Sequence, residues 1–497
     1  MLFNSLTFAA FLPIVFLLYW FVFQRNLKLQ NFFIVIASYI FYGWWDWRFL
    51  ILIVLSSFCS WGCGLLIQRA DKQQIIRPFH FLSRKFIVIF DIALNLGILG
   101  VFKYFNFFVE NFVSAFASIG VHLQPHTLNI ILPVGISFYT FQGLSYSIDI
   151  YRRKIEPTKD IVSFFAFIGF FPLLVAGPIE RAANLLPQFY VKRTFNREKA
   201  VDGMRQILWG LFKKIVIADN CAIFANEIFA NYAGYPGSTL AIGAVLFSFQ
   251  IYGDFSGYSD IAIGTARLFG INAMRNFNFP YFSRDIAEFW RRWHISLTTW
   301  FRDYIYIPLG GSRVSKAKVI RNTFIIFLVS GFWHGANWTF IAWGAFHAVL
   351  FLPLILLNKN RQNTGTVAEG RILPNIKEFF QILTTFLLVT AGWIVFRSVS
   401  IVDTFRYFTK IFSASIFTKP VVSDIILDKF FPKTDVIILF ATIPVLLAVE
   451  WFARNKQHGL QIDGIKSKPI RWIIYLAVLL MIWAFGGQQQ AFIYFQF

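Results

Sequence analysis

A histidine lies between two glycines inside an apolar run, in the sequence Ser330-Gly331-Phe332-Trp333-His334-Gly335-Ala336-Asn337-Trp338. An imidazole removed from water stays neutral and can act as a general base. Gly331 and Gly335 carry no side chain, so another group can approach closely. Asn337 and Trp338 would lie on the same side as His334 if the segment is helical. A lone membrane histidine can also be an ordinary core residue, but this setting predicts a catalytic role for His334.

A second histidine follows in the same apolar region. His347 is thirteen residues from His334, which along one continuous helix corresponds to ~20 Å at 1.5 Å per residue. We therefore predict a structural role for His347. The four histidines placed in loops, His80, His122, His126 and His458, give no functional signal.

Residues 282–313 combine arginine, tryptophan and carboxylate side chains around His294. The segment is too polar to span a membrane and too apolar to remain in water, which predicts a re-entrant or interfacial element on the cytoplasmic side. Its basic side chains can bind the phosphates of an anionic donor, or they can simply mark the membrane border, and both interpretations remain open. These side chains are Arg284, Arg291, Arg292, Arg302 and Arg313.

A third polar region, residues 249–268, places Asp254 and Asp260 inside an apolar segment. Such groups are costly to bury unless they face a cavity or a partner. Gly253 and Gly257 would let a neighbouring helix pack closely. The segment therefore serves helix packing or a functional site, with one helical face formed by Tyr252, Ser256, Ser259 and Asp260.

Long apolar segments must position these groups. The 497 residues are 57% hydrophobic and only 14% charged, whereas soluble domains are about 25% charged. The segments are longer than transmembrane β-strands and lack a period of two. The fold class is therefore an all-α polytopic membrane protein, with about 11–13 membrane segments in one domain over residues 1–497. Candidate spans are 6–23, 29–44, 48–67, 86–108, 128–150, 160–178, 207–230, 238–269, 320–357, 379–396, 436–453 and 470–485.

Two of these spans are expected to be interrupted. Residues 320–357 are long enough for two short helices around residues 331–337, and 128–150 contains Pro133 and Gly135. Helix interruptions free backbone groups that must be satisfied inside the protein.

The net charge of +21 arises from lysine and arginine in short loops, a pattern of membrane topology rather than of nucleic-acid binding. Loops 68–85 and 454–471 are strongly basic and are predicted to be cytoplasmic. Loop 397–435 balances six basic residues with four acidic ones and is predicted to lie outside the cell. Loops 25–28, 152–159, 179–199 and 358–378 then lie on the cytoplasmic side, and both termini lie outside the cell. Loop 358–378 is the best linker candidate, and the first apolar segment is expected to be retained rather than cleaved.

Cys59, Cys63 and Cys221 all lie in apolar stretches without zinc-type spacing. We therefore expect neither a metal site nor a disulfide.

Several motifs together resemble the membrane-bound O-acyltransferase family, in the bacterial branch that includes alginate O-acetylation. They lie at 132–142, 175–179, 254–260, 291–297, 303–311, 331–338 and 492–497, and thus cover nearly the whole chain. The resemblance implies a helical bundle with re-entrant segments around a central tunnel in the bacterial inner membrane. It also implies that His334 is catalytic and that His294 is the second family histidine.

The resemblance further implies a cytoplasmic acyl thioester, acetyl-CoA or an acyl carrier protein, as donor, with no bound cofactor. A short acyl group, acetyl, would reach an exported polysaccharide directly or through an extracytoplasmic partner similar to SGNH hydrolases. Neutral His334 would deprotonate the acceptor hydroxyl, and His294, the Asn337 amide or an indole N–H would stabilise the oxyanion. Residues predicted to line the tunnel are Asn337, Trp333, Trp338, Trp293, Asp254, Asp303 and Arg292.

Two alternatives to an enzyme remain. Buried carboxylates on broken helices also occur in transporters of polysaccharides or lipids, but transporters are expected to show internal repeats, and we find none in this sequence. A non-catalytic scaffold of an export complex would make His334 dispensable.

Overall fold

The computed structural model of the chain describes residues 1–71, 83–124, 127–128, 131–175, 177–422, 434–486 and 489–493. Helices dominate, with 72% helical residues, and these ranges contain no strand. Parts of several predicted features lie outside the described residues. They are most of loop 68–85 with His80, His126, residues 129–130 of span 128–150, part of loop 397–435, and the motif residues Ala176 and 494–497.

The chain forms two compact units. The first comprises Met1–Gly203 and Ala262–Met274, and the second comprises Met204–Ile261 and Arg275–Phe497. Two of the three boundaries fall inside helices, within Arg197–Leu211 and Gly237–Leu268, and the third follows Met274 in a loop.

Two helices of the first unit continue into π-helical turns. Leu6–Leu17 continues into Leu18–Val22, and Arg84–Leu99 continues into Gly100–Tyr104. Its longer helices are α1 (Leu6–Leu17), α2 (Leu27–Gly43), α3 (Leu50–Asp71), α4 (Arg84–Leu99), α5 (Phe105–Ala117) and α6 (Ile136–Tyr151). Short helices α7 (Ile161–Gly169), α8 (Phe171–Leu174) and α9 (Ala182–Leu185) follow, and then the first part of α10 (Arg197–Leu211).

The second unit contains the rest of α10, a π-helical segment at Phe212–Ala218, α11 (Asp219–Ala230) and most of α12 (Gly237–Leu268). After α12, the chain forms α13 (Ile286–Arg292), α14 (Ile295–Phe301), α15 (Lys316–His334), α16 (Trp338–Leu356), α17 (Ile376–Arg397), α18 (Ile401–Ile411), α19 (Thr434–Phe452) and α20 (Lys468–Phe485).

Six helical stretches among the described residues are long and apolar enough to cross a membrane. They are Trp47–Asp71, Arg84–Ala117, Gly237–Leu268, Trp338–Leu356, Ile376–Arg397 and Lys468–Phe485. Large apolar side chains on α20 are exposed, including Trp483 at 84%, as expected for a surface that faces lipid. These features confirm the all-α polytopic membrane class.

The predicted interruption in 320–357 is present, because α15 ends at His334 and α16 begins at Trp338. Span 160–178 is also interrupted, since α7 ends at Gly169 and Phe170 has ψ 107°. Pro172, on the first turn of α8, cannot donate a backbone hydrogen bond to continue α7.

Residues 282–313 form α13, α14 and a π-helical turn at Arg302–Tyr306. None of these elements is long enough to span a bilayer, in agreement with the expected non-spanning segment.

Loop 358–378 differs from its prediction as a linker. Val367 and Ala368 are buried and pack with Phe279, Phe282 and Ala453 in one apolar cluster. Gly and Asn residues in the sequence suggested a loose connection, but the loop is held by tertiary contacts that composition does not show.

Candidate active site

His334 is the last residue of α15 and is only 4% exposed. The carboxyl end of a helix carries partial negative charge, which stabilises a cation formed there. Gly335, with φ −171°, takes an extended conformation and ends the helix. Asn337 then caps α16, because its Oδ1 accepts a hydrogen bond from the Thr339 N–H at 3.0 Å. The histidine therefore lies at a sharp reversal between two antiparallel helices.

The glycines beside His334 allow these helices to approach each other. A Cβ atom on Gly331 would overlap the Phe340 carbonyl oxygen, and one on Gly335 would overlap the Phe340 ring. Gly344 of α16 meets the backbone of Phe327 on α15 in the same way. The atoms that approach these glycines therefore belong to the chain itself, and their contacts pack α15 against α16.

His294 precedes α14 in a left-handed backbone conformation, with φ 42°. Such a conformation is strained for a residue with a side chain and persists only where surrounding contacts impose it. Asn276 supplies these contacts. Its backbone oxygen accepts from the Ile295 N–H at 2.8 Å, and its Oδ1 accepts from the Ser296 hydroxyl at 2.9 Å.

Asn276 also sets the tautomer of His294. The Ser296 N–H donates to Asn276 Oδ1 at 3.3 Å, which identifies that atom as the oxygen, while Asn276 Nδ2 donates to the Ser259 hydroxyl at 3.1 Å. His294 Nδ1 lies 3.1 Å from the same oxygen and must therefore donate, which leaves Nε2 as the acceptor of the neutral ring. Burial lowers the pKa of His294 to about 3, so this ring is neutral at physiological pH.

Trp333 links the two histidines. Its ring centroid is 6.1 Å from that of His294 and 4.9 Å from that of His334. The sum of these distances limits the separation of the imidazoles to 11.0 Å. Phe255 lies edge-on to His294, and Phe396 lies edge-on to His334. The described structure thus brings His294, Trp333 and His334 into one buried aromatic cluster.

The estimate of ~20 Å between His334 and His347, which assumed a continuous helix, is wrong. Both rings pack against Trp343, at centroid distances of 5.0 and 5.1 Å. The helix breaks after His334, and α16 folds back along α15, which brings the two histidines within 10.1 Å. Neither ring nitrogen of His347 forms a hydrogen bond with the described residues, and its observed contacts are ring packing.

The remaining predicted tunnel residues occupy different environments. Trp293 is buried against Phe277 and Trp393. Trp338 is 55% exposed, because the segment after His334 is not helical as the shared-face argument required. Asn337 engages its amide at both ends, since Nδ2 donates to the Val399 carbonyl at 3.1 Å. Asp303 forms an ion pair with Arg302 at 2.7 Å.

Three arginines of segment 282–313 bind within the chain. Arg292 pairs with Glu288 at 2.8 Å, and Arg284 pairs with the same carboxylate at 3.0 Å. Arg291 donates to the carbonyls of Asn360 and Asn363. Arg284 and Arg292 also donate to the Gly365 carbonyl, so all three arginines bind loop 358–378.

Asp254 and Asp260 are neutralised by two lysines that sequence reasoning missed. Lys214 pairs with Asp254 at 2.7 Å, and Lys213 pairs with Asp260 at 2.6 Å. The lysines lie in the π-helical segment Phe212–Ala218, and only the packing of this segment against α12 shows that they face the two carboxylates. The second oxygen of Asp254 accepts from the Ile493 N–H at 2.6 Å.

Glycine packing accompanies these ion pairs, as predicted. A Cβ atom on Gly257 would lie 2.8 Å from the carbonyl oxygen of Gly210, and one on Gly253 would lie 2.9 Å from that of Lys213. The contacts favour a helix-packing role for the Asp254–Asp260 region.

Asn276 is the other residue that sequence reasoning missed. It carries no motif signal of its own, and only its position beside the strained His294 turn shows its importance. Asn276 lies 18 residues before His294 along the chain, in the loop between α12 and α13.

The sequence profile of the membrane-bound O-acyltransferase family matches residues 39–391. The chain belongs to this family, and it is therefore a multi-pass membrane O-acyltransferase.

Comparison with individual relatives narrows the kind of acyl transfer. The chain is 40% identical over 415 residues to a probable alginate O-acetylase, AlgI, of Pseudomonas aeruginosa, with 83% of this chain and 75% of the relative covered. It is 32% identical to a peptidoglycan O-acetyltransferase of Helicobacter pylori, covering 100% of this chain and 98% of the relative. A teichoic acid D-alanyltransferase of Bacillus subtilis is 31% identical over 55% of this chain and 71% of the relative. These names support O-acyl transfer to a polymer.

Proposed function

We propose that this protein transfers an acetyl group from a cytoplasmic thioester to hydroxyl groups of an exported glycan, with His334 as general base. The observation that carries the proposal is the buried position of His334 at the end of α15, in one aromatic cluster with Trp333 and His294. Two relatives, named as a probable alginate O-acetylase and a peptidoglycan O-acetyltransferase, support the acetyl group.

In the proposed reaction, neutral His334 accepts the proton of the acceptor hydroxyl while the hydroxyl oxygen attacks the thioester carbonyl. The new C–O bond forms and the C–S bond breaks. The leaving thiolate then takes the proton from the His334 imidazolium. Partial negative charge at the end of α15 stabilises that imidazolium while it exists.

His294 has a different role in this scheme from oxyanion stabilisation. Its Nδ1–H points to Asn276 Oδ1, so the neutral ring offers an acceptor at Nε2 rather than a donor. We propose that His294 orients the acceptor hydroxyl, and that the indole N–H of Trp333 donates to the oxyanion. The surrounding aromatic rings exclude water, which would otherwise hydrolyse the thioester.

The same proposal covers the acetyl donor and the route by which the acetyl group reaches the glycan. Acetyl-CoA or an acetylated carrier protein would supply the thioester. An extracytoplasmic partner of the SGNH-hydrolase type would complete transfer to the glycan, or the enzyme would acylate it directly. The acceptor is a polysaccharide or peptidoglycan, which are the polymers named for the two O-acetylating relatives.

The test compares cells that carry wild-type protein, His334→Ala or the exposed-loop control His122→Ala. Ester-linked acetate is released by mild alkali from exported polysaccharide and from peptidoglycan, and protein in the membrane fraction is quantified. We expect at least a hundredfold loss of ester in His334→Ala, because removal of a general base costs about 10²–10⁴ in rate, with His122→Ala unchanged.

Normal acetate at an equal level of His334→Ala protein would reject the catalytic assignment. Loss of the polymer itself, with acetylation of the remaining polymer unchanged, would favour a transporter or scaffold.

A further inference from the structure

A cavity of about 420 Å³ lies in the first unit, between the chain that precedes α10 and the end of α12. Its lining includes Trp20, Arg193, Lys192, Lys199 and Arg267. It shares no residue with the candidate active site, so its occupant can be inferred independently of the reaction.

Arg193 brings a buried positive charge to the cavity. The residue is 6% exposed, and its guanidinium donates to neutral oxygens, those of Gln30, Asn31 and Gln188. Its Nε forms no hydrogen bond with the described residues. The guanidinium also lies over the rings of Tyr19 and Phe189, at 5.6 and 5.4 Å from their centroids. No carboxylate among the described residues pairs with it, so an anion in the adjacent cavity would balance the buried charge.

Two exposed lysines and a helix end add to the positive potential. Among the described residues, neither Lys192 nor Lys199 has an ion-pair partner, whereas Arg267 pairs with Asp202. Lys199 lies in the first turn of α10, where its N–H donates to the Asn196 side chain at 2.9 Å. The amino end of this 15-residue helix stabilises anions.

Apolar side chains border the same cavity. Val191 is 64% exposed and Phe195 is 49% exposed, and the Trp20 ring packs edge-on against Phe195 at 5.6 Å. The Trp20 indole N–H donates to the Leu268 carbonyl at 2.9 Å, which fixes the ring at the cavity wall. A ligand that suits this lining combines a phosphate with hydrocarbon.

We propose that the cavity binds the phosphate of an anionic phospholipid, with its head group between Lys192, Lys199 and Arg193. The acyl chains would extend over Val191 and Phe195. The basic loop 179–199 is predicted to be cytoplasmic, so the lipid would come from the inner leaflet. A soluble phosphate compound shares the head-group chemistry but cannot use the exposed apolar border.

The test uses the purified full-length protein in detergent and measures its thermal unfolding midpoint during titration with dioleoyl phosphatidylglycerol. Parallel titrations use dioleoyl phosphatidylcholine, which has the same chains without net charge, and inorganic phosphate. The variant is Lys192→Gln/Lys199→Gln, in which both changed side chains are exposed and should not affect folding. The control Lys28→Gln/Lys159→Gln removes the same charge from other exposed positions.

We expect phosphatidylglycerol to stabilise the wild type and the control at similar concentrations. The cavity variant should need about 25-fold more lipid, since each of the two lysines near an anionic head group contributes about fivefold in affinity. Phosphatidylcholine should stabilise all three proteins less. Equal titrations for the cavity variant and the control would overturn the proposal. Full stabilisation by inorganic phosphate, or equal effects of the two lipids, would overturn the assignment to an anionic lipid.

Discussion

The contacts of their side chains distinguish the roles proposed for His334 and His294. His334 ends a helix, where charge on the ring is stabilised, while His294 is held by Asn276 in a strained turn and in one tautomer. A strained backbone conformation is retained only where neighbouring contacts enforce it. Asn276 is therefore proposed as a positioning residue, which acts through the ring of His294.

The substitution Asn276→Asp tests this role. The aspartate keeps the acceptor for His294 Nδ1 but adds a negative charge, which stabilises the imidazolium and raises the His294 pKa from about 3 by about one to three units. Because the role proposed for His294 requires the neutral ring, acid inactivation of acetyl transfer should move to higher pH by a similar amount. The measurement is the pH profile of acetate transfer in membrane vesicles.

Asn276→Leu serves as the comparison, since it removes the acceptor and should lower activity at every pH. An unchanged pH profile in Asn276→Asp would show that His294 does not titrate in the reaction.

At the level of elements, the α15–α16 hairpin positions His334 of the candidate site. Glycines at 331, 335 and 344 let the backbones of the two helices touch, and this close packing places Trp343 against both His334 and His347. Helix association in lipid depends on such small residues, because burial of apolar surface gains little there.

We predict that Gly331→Ala destabilises the protein, since its Cβ would overlap the Phe340 carbonyl and force the helices apart. Overpacking of this kind costs about 1–3 kcal/mol, and displacement of His334 should lower acetyl transfer as well. The helical control is Gly62→Ala, where a Cβ would meet no atom within 4 Å. Thermal unfolding in detergent and the ester assay provide the measurements, and equal behaviour of the two variants would contradict the packing argument.

At the scale of the whole molecule, several charges inside membrane-type segments of the described residues pair with each other, as in Lys214 with Asp219 and Asp254, because an unpaired charge is costly there. Asp91 instead accepts hydrogen bonds from Ser60 and Asn95. The basic loops are the features from which we predict the orientation of the chain in the membrane.

This distribution predicts the sidedness of loops. In a background without the three native cysteines, Lys199→Cys should resist a membrane-impermeant maleimide in spheroplasts and react after lysis. Lys419→Cys, an exposed position in the loop expected outside the cell, should react in intact spheroplasts. The reverse labelling pattern would invert the predicted topology, including the extracytoplasmic position of both termini.

Sequence alone established the membrane class, a helix break around residues 331–337, and the acyltransferase family. Each of these follows from local quantities: the length of apolar runs, the placement of glycine, and the order of motifs. The proposed catalytic role of His334 also began with its local setting between two glycines.

The tertiary structure decided which groups meet. Periodicity shows which residues share a helix face, but it does not show which element covers that face, so the partners of Asp254, Asp260 and His294 could not be read from the sequence. The same limit explains why His347 was placed too far from His334. Spacing along the chain measures distance only while a helix continues, and the reversal after His334 brings the second helix back against the first.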